Sequence, residues 1–174
     1  MIKPIVSGLI AGLLVIGGSA IAGSIASAAG DHPEASAYAV SPDAMGDVDA
    51  ALTRAAAADR RVLLVMGANW CHDSRALAGW LGTPRFAALV AAHYELVFVN
   101  VGMPQSGDGH NLDIAQRFGL ADFPGTPALL VLTADGNLVN SDTATSWRNA
   151  ASRSEDAIYA ELAALAKVRA PQVP

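Results

Sequence analysis

The chain has 174 residues, of which 52% are hydrophobic and 16% charged, and 11 Lys and Arg against 16 Asp and Glu give a net charge of −5. This length suits one domain that buries a core without disulfide staples, and the composition excludes a disordered chain. No cluster of Lys and Arg occurs anywhere, which argues against nucleic acid as a partner.

Lys3 is the only charged residue in the first thirty, and an uncharged run from Pro4 ends in small residues. Ala26, Ser27 and Ala28 fit the small-x-small pattern of a signal-peptide cleavage site, so residues 1–29 are read as a signal peptide. The alternative is an uncleaved anchor, since the apolar run reaches the roughly 20 residues that a bilayer span needs. Either reading places the domain in the periplasm or tethered to the outer face of the inner membrane, touching membrane only through this segment. Residues 30–44, small and proline-containing, read as a linker, and 45–170 as the folded domain.

Ser41 and Pro42 offer a cap and first-turn proline for a helix through 43–60, with Val48 and Leu52 four apart. The unbroken apolar run 61–67, ending at glycine, predicts a strand buried on both faces. After Cys71 the spacing is helical, with Leu77, Trp80 and Leu81 on one face. Thr83 and Pro84 restart a second helix carrying Phe86, Leu89 and Val90. Residues 94–102 predict the next strand, and a Gly- and Asp-containing loop leads to a short helix near 112–120. Residues 126–142 predict two strands joined at Asp135 and Gly136. A last helix opens at Ser154, with Glu155 and Asp156 in its first turn and Lys167 and Arg169 in its last. Ile158, Leu162 and Leu165 form its buried stripe and Pro171 follows it. Phe98, Phe118 and Leu130 are further core candidates. This order predicts an α/β fold, with a central mixed sheet flanked by helices on both faces and its first two strands parallel.

Cys71, the single cysteine, stands between Trp70 and His72 where the predicted strand gives way to a helix. At a helix N-terminus the unpaired backbone N–H groups and the helix dipole favour the thiolate, the form that attacks. Ser74 lies one turn on, where its hydroxyl is placed to donate to the sulfur. A protonated His72 would help the thiolate and an ionised Asp73 would oppose it. An unpaired cysteine in an exported chain is a candidate reactive thiol.

These motifs resemble the thioredoxin-like superfamily over roughly residues 45–168. Trp70, Cys71 and Ser74 match its Trp-Cys-x-x-Cys site, with Ser74 in place of the second cysteine. Thr126 and Pro127 match its Thr–cis-Pro pair, and 133–139 the hairpin after it. The resemblance implies that Pro127 is cis and lies beside Cys71, shaping with Trp70 and Thr126 a groove for a peptide or thiol substrate. In that fold the loop over 141–156, longer than a strand-to-helix joint needs, lies near the active cysteine, which makes Trp147 and Arg148 candidates to line the groove; the alternative is that Trp147 only anchors the loop to the body.

Serine cannot resolve a mixed disulfide. The activity that follows is monothiol thiol–disulfide exchange on protein thiols or disulfides, with Cys71 as nucleophile and an external resolving thiol such as glutathione. The rival is a non-catalytic module that uses the groove to bind a peptide or partner protein. No cofactor is expected. Cys71, His72 and His110 are donors that suit zinc or copper, but one cysteine without His-rich spacing argues against a metal site. His32, in the linker, and His93, at a helix end, read as solvated.

Overall fold

The computed structural model describes residues 32–168, so the expected signal or anchor segment, Arg169 and Pro171 lie outside the described residues. Along the chain run α1 (Ala44–Ala58), β1 (Arg61–Gly67), α2 (His72–Leu81), α3 (Pro84–His93) and β2 (Tyr94–Asn100). There follow β3 (Gly102–Met103), β4 (Asp108–Gly109), α4 (Leu112–Arg117), β5 (Ala128–Leu132) and α5 (Glu155–Leu165). A 3-10 segment, Ser146–Ser152, precedes α5.

The apolar run at 61–67 is the middle strand of a sheet ordered β2-β1-β5. β2 pairs with it in parallel, Leu63 opposite Leu96, and β5 antiparallel, Leu63 opposite Val131. Alternate residues of β1 serve opposite cores, which is why its sequence does not alternate with polar residues. Val62, Leu64 and Met66 pack with Val48 and Ala51 of α1 and Ile114 of α4. Leu63 and Val65 pack with Leu77, Phe86, Ile158 and Leu162 of α2, α3 and α5. Each Val, Leu, Ile, Phe or Met side chain so buried contributes about 1.5–3 kcal/mol by leaving water. Phe118 and Leu130 are buried as expected, whereas Phe98 and Trp80 are half-buried, Trp80 tilted against Phe86. Among the described residues, no helix is long and apolar enough to cross a membrane.

Four expectations are corrected. Ser41 and Pro42 do not begin α1: its cap is Asp43, whose carboxylate accepts from Gly46 N–H at 2.8 Å, while Ser41 Oγ braces Asp47. The strand from Tyr94 stops at Asn100, where the side-chain Oδ1 accepts from Gly102 N–H and turns the chain into the small β3-β4 hairpin. Asp135 and Gly136 do form a turn, but the chain beyond them makes one bridge, Leu132 to Leu138, rather than a strand. Asn140 then substitutes for the missing strand: its side-chain amide accepts from Val131 N–H and donates to Leu129 O.

The fourth correction concerns the linker. Residues 32–43 form a strap packed on the domain. Tyr38 is buried, its hydroxyl donates to Ser74 O, and its backbone exchanges two hydrogen bonds with the Asn69 side chain. Asn100 also donates to Tyr38 O. Position 79 must be glycine for this strap to seat, because a Cβ there would stand 2.1 Å from Pro33 O.

Candidate active site

β1 ends at Gly67, the chain turns through Asn69 and Trp70, and Cys71 caps α2 with extended backbone. Across from it the Thr126–Pro127 bond is cis, and the Cys71 thiol donates to Thr126 O at 3.4 Å. The fold therefore brings together Cys71, Thr126 and Pro127 from segments 55 residues apart. Thr126 is buried, and its Oγ1 has no hydrogen-bond partner among the described residues.

The surroundings of the sulfur differ from the sequence expectation. Cys71 is only 9% exposed, and no helix N–H caps its side chain. Ser74 is fully buried, and its hydroxyl accepts from Ala68 N–H at 3.4 Å rather than donating to the sulfur. A buried hydroxyl takes the nearest backbone donor because an unpaired N–H there is costly. Trp70 is 47% exposed, with its indole N–H on Gly102 O at 2.8 Å, which ties the turn before Cys71 to β3.

A second group lies on the other side of the same helix end. His72 Nδ1 stands 3.1 Å from Glu34 Oε1, and His32 Nε2 stands 3.6 Å from that oxygen. Arg75 Nε donates to Glu34 Oε2 at 2.8 Å, and its Nη1 reaches the carbonyls of Asn69 and Trp70. That hydrogen bond holds the Glu34 carboxyl below its usual range. Partial desolvation opposes it, and the charges of Arg75, His72 and His32 reinforce it. His32, Glu34, His72, Asp73 and Arg148 line a cleft of about 780 Å³, closed on its far side by the 3-10 segment. Asp73 Oδ1 accepts from Ala151 N–H at 2.8 Å and pins that segment to α2.

Of the two candidates to line the groove beside Cys71 and Pro127, Arg148 instead lines the cleft of His32, Glu34 and His72, whose lining includes neither Cys71 nor Pro127. It is exposed, with Nε on Thr145 O. Trp147 lines neither. It is 0% exposed, packed in the core, with the Arg153 guanidinium 4.3 Å above its ring. It anchors the segment that carries Arg148. His93 is exposed as expected, but His32 is half-buried, with its side chain turned inward, rather than solvated. His110 is exposed and joins neither Cys71 nor His72 in a donor group among the described residues.

Sequence reasoning missed Glu34, Arg75 and Tyr38. Two signals were available: His32 and Glu34 two apart in an extended segment, which share one side, and Arg75 one turn beyond Cys71.

The chain matches the family model described as thioredoxin-like over residues 43–134. It is also similar to a solved disulphide isomerase from Xylella fastidiosa Temecula1, at 34% identity and a TM-score of 0.67. That match covers 75% of this chain and 96% of the other. No curated protein matches the chain.

Proposed function

Because this chain belongs to the thioredoxin-like family, we propose that it performs thiol–disulfide exchange with Cys71 as its one sulfur nucleophile and a thiol from outside the chain as resolving partner. The observation that supports this reading is the Cys71 sulfur 3.4 Å from Thr126 O, beside the cis bond to Pro127. The cysteine caps a helix there, and the carbonyl next to it holds the thiol hydrogen until a base removes it.

The chemistry balances with one cysteine. The Cys71 thiolate attacks a client disulfide, forming a Cys71–client disulfide and releasing the other client sulfur as thiolate. If a second client thiolate then attacks the client sulfur of that adduct, Cys71 leaves and the client's disulfide has moved, with no net redox change. If the first substrate is a glutathione mixed disulfide, the adduct is Cys71–glutathione. A glutathione thiolate releases it as oxidised glutathione, and the client is reduced by two electrons. Ser74 enters neither step; its hydroxyl holds the turn at Ala68. We place this activity in the periplasm on the strength of the N-terminal sequence.

Turnover of a glutathionylated peptide with excess glutathione tests the reading. Cys71→Ser is expected to fall to the uncatalysed rate with its fold intact, and undiminished turnover in that variant would overturn the proposal. The low exposure of Cys71 favours the rival, a non-catalytic peptide-binding module. That rival predicts no turnover in the wild type and equal client binding by both proteins.

A further inference from the structure

The side chain of His32 is 7% exposed, yet neither ring nitrogen has a hydrogen-bond partner among the described residues. The carboxylate oxygen nearest to it stands 3.6 Å from Nε2, too far for a hydrogen bond. Buried imidazole nitrogens are normally paired, so this arrangement calls for a partner. His72 reaches the same oxygen from α2 at 3.1 Å, and the two rings meet edge to face at 4.9 Å. One donor atom from each of His32, Glu34 and His72 lies within 4.8 Å of the other two.

We propose that His32, Glu34 and His72 form a binding site for a divalent transition-metal ion of the zinc type, with a further coordination position open to the cleft. Two imidazoles and one carboxylate suit Zn²⁺, and three protein ligands leave room for a water or an incoming donor. An ion about 2.0–2.1 Å from each donor sets neighbouring ligand atoms about 3.3 Å apart in a tetrahedron. The two edges to Glu34 Oε1, 3.1 and 3.6 Å, bracket that spacing. The remaining edge closes by rotation of His72, whose side chain is 58% exposed. Outer support is already in place: Arg75 occupies Glu34 Oε2, leaves Oε1 for the ion, and is itself held by two carbonyls. The site goes beyond the thiol reading, since Cys71 supplies none of the donors. His72 follows Cys71 directly, so the ion would bind next along the chain to the sulfur without consuming it.

The test is titration of the reduced full-length protein with Zn²⁺ by calorimetry, with Co²⁺ absorption as a second readout. The expected result is one equivalent bound by wild type and by Cys71→Ser, with no thiolate-to-cobalt charge-transfer band. His72→Gln and His32→Gln should lose measurable binding, and Arg75→Met should weaken it about 10–100-fold. His72 is on the surface, so its variant tests the site even if substituting the buried His32 side chain perturbs the strap. Three results would each overturn the proposal: no equimolar binding by the wild type, binding unchanged in His72→Gln, or binding lost in Cys71→Ser with a thiolate band in the wild type.

Discussion

Cys71 and His72 are neighbours in sequence and opposites in environment. The cysteine is sunk between α2 and the Thr126–Pro127 segment, its hydrogen already on a carbonyl and Ser74 beneath it bonded to the backbone. The histidine stands at the rim of an open cleft, against a carboxylate and a second histidine brought in by the strap. On the sulfur side, the one polar atom without a partner among those described is Thr126 Oγ1. On the cleft side both nitrogens of a buried imidazole lack one. One helix terminus thus carries a largely satisfied pocket on one side and an unsatisfied cluster on the other. The unfilled chemistry of this molecule lies mainly away from its thiol.

Removing the wall of the cleft should produce the largest effect on stability. Trp147 is fully buried and holds the 3-10 segment that presents Arg148 and receives Asp73. Trp147→Ala is expected to cost about 3–5 kcal/mol in chemical denaturation, mostly through the cavity it leaves. The indole N–H has no hydrogen-bond partner among the described residues, so Trp147→Phe should cost clearly less than the alanine variant. Equal losses would mean that packing is not what holds this wall.

The sulfur side is sharpened by restoring what it lacks. A Cβ at position 67 would lie 2.7 Å from both Ser74 Oγ and the Tyr38 ring, so glycine there lets the side chain at position 74 pack directly on the bare backbone. Ser74→Cys should therefore fold, form a disulfide with Cys71 under oxidising conditions, and resolve its own mixed disulfides. Mass spectrometry after oxidised-glutathione treatment should show the adduct persisting on wild type and replaced by an internal disulfide in the variant. Persistence of the adduct in both proteins would mean that position 74 cannot reach the sulfur.

What the sequence revealed divides along the same line. The position of the thiol was legible because its information is local, a cysteine at a strand-to-helix turn and a Thr-Pro pair opening an apolar strand; its burial and the partner of Ser74 were not, because they depend on packing around the turn. The sheet was legible for a similar reason, since a seven-residue apolar run that ends at glycine has the length and flank of a strand covered on both faces. The strap was not legible. Residues 32–43 lack the periodicity that marks a helix or strand, and Tyr38 and the His32 side chain are buried through contacts with Ser74, Asn69, Asn100 and Glu34 that no spacing announces. Trp147 stayed open in the sequence because an aromatic ring in a long polar stretch reads equally well as a groove wall or as an anchor, and its full burial makes it the anchor. Asn140 was hidden for another reason: a side-chain amide took the place of a backbone strand.

The smallest expected effect is the most informative about how the two sides communicate. Tyr38 is the hinge between them: it belongs to the strap that delivers His32 and Glu34, and its hydroxyl donates to Ser74 O at 3.2 Å under the sulfur pocket. Burial pushes its phenol well above the ordinary range, so it is protonated and a donor at neutral pH. Tyr38→Phe keeps the ring, which meets Phe98 edge to face at 5.3 Å, and deletes only that bond. A single buried hydrogen bond is worth about 1 kcal/mol, so denaturation should register a loss of that order. The strap is also held by the Asn69 and Asn100 side chains and by its close seat on Gly79. Zinc affinity should therefore change by less than about threefold, the size of effect expected when no ligand and no outer-shell partner is touched. A drop of tenfold or more, with the stability loss still near 1 kcal/mol, would mean that this one hydroxyl sets the position of the strap and couples the cleft to the thiol pocket. The two regions would then be one site with two faces.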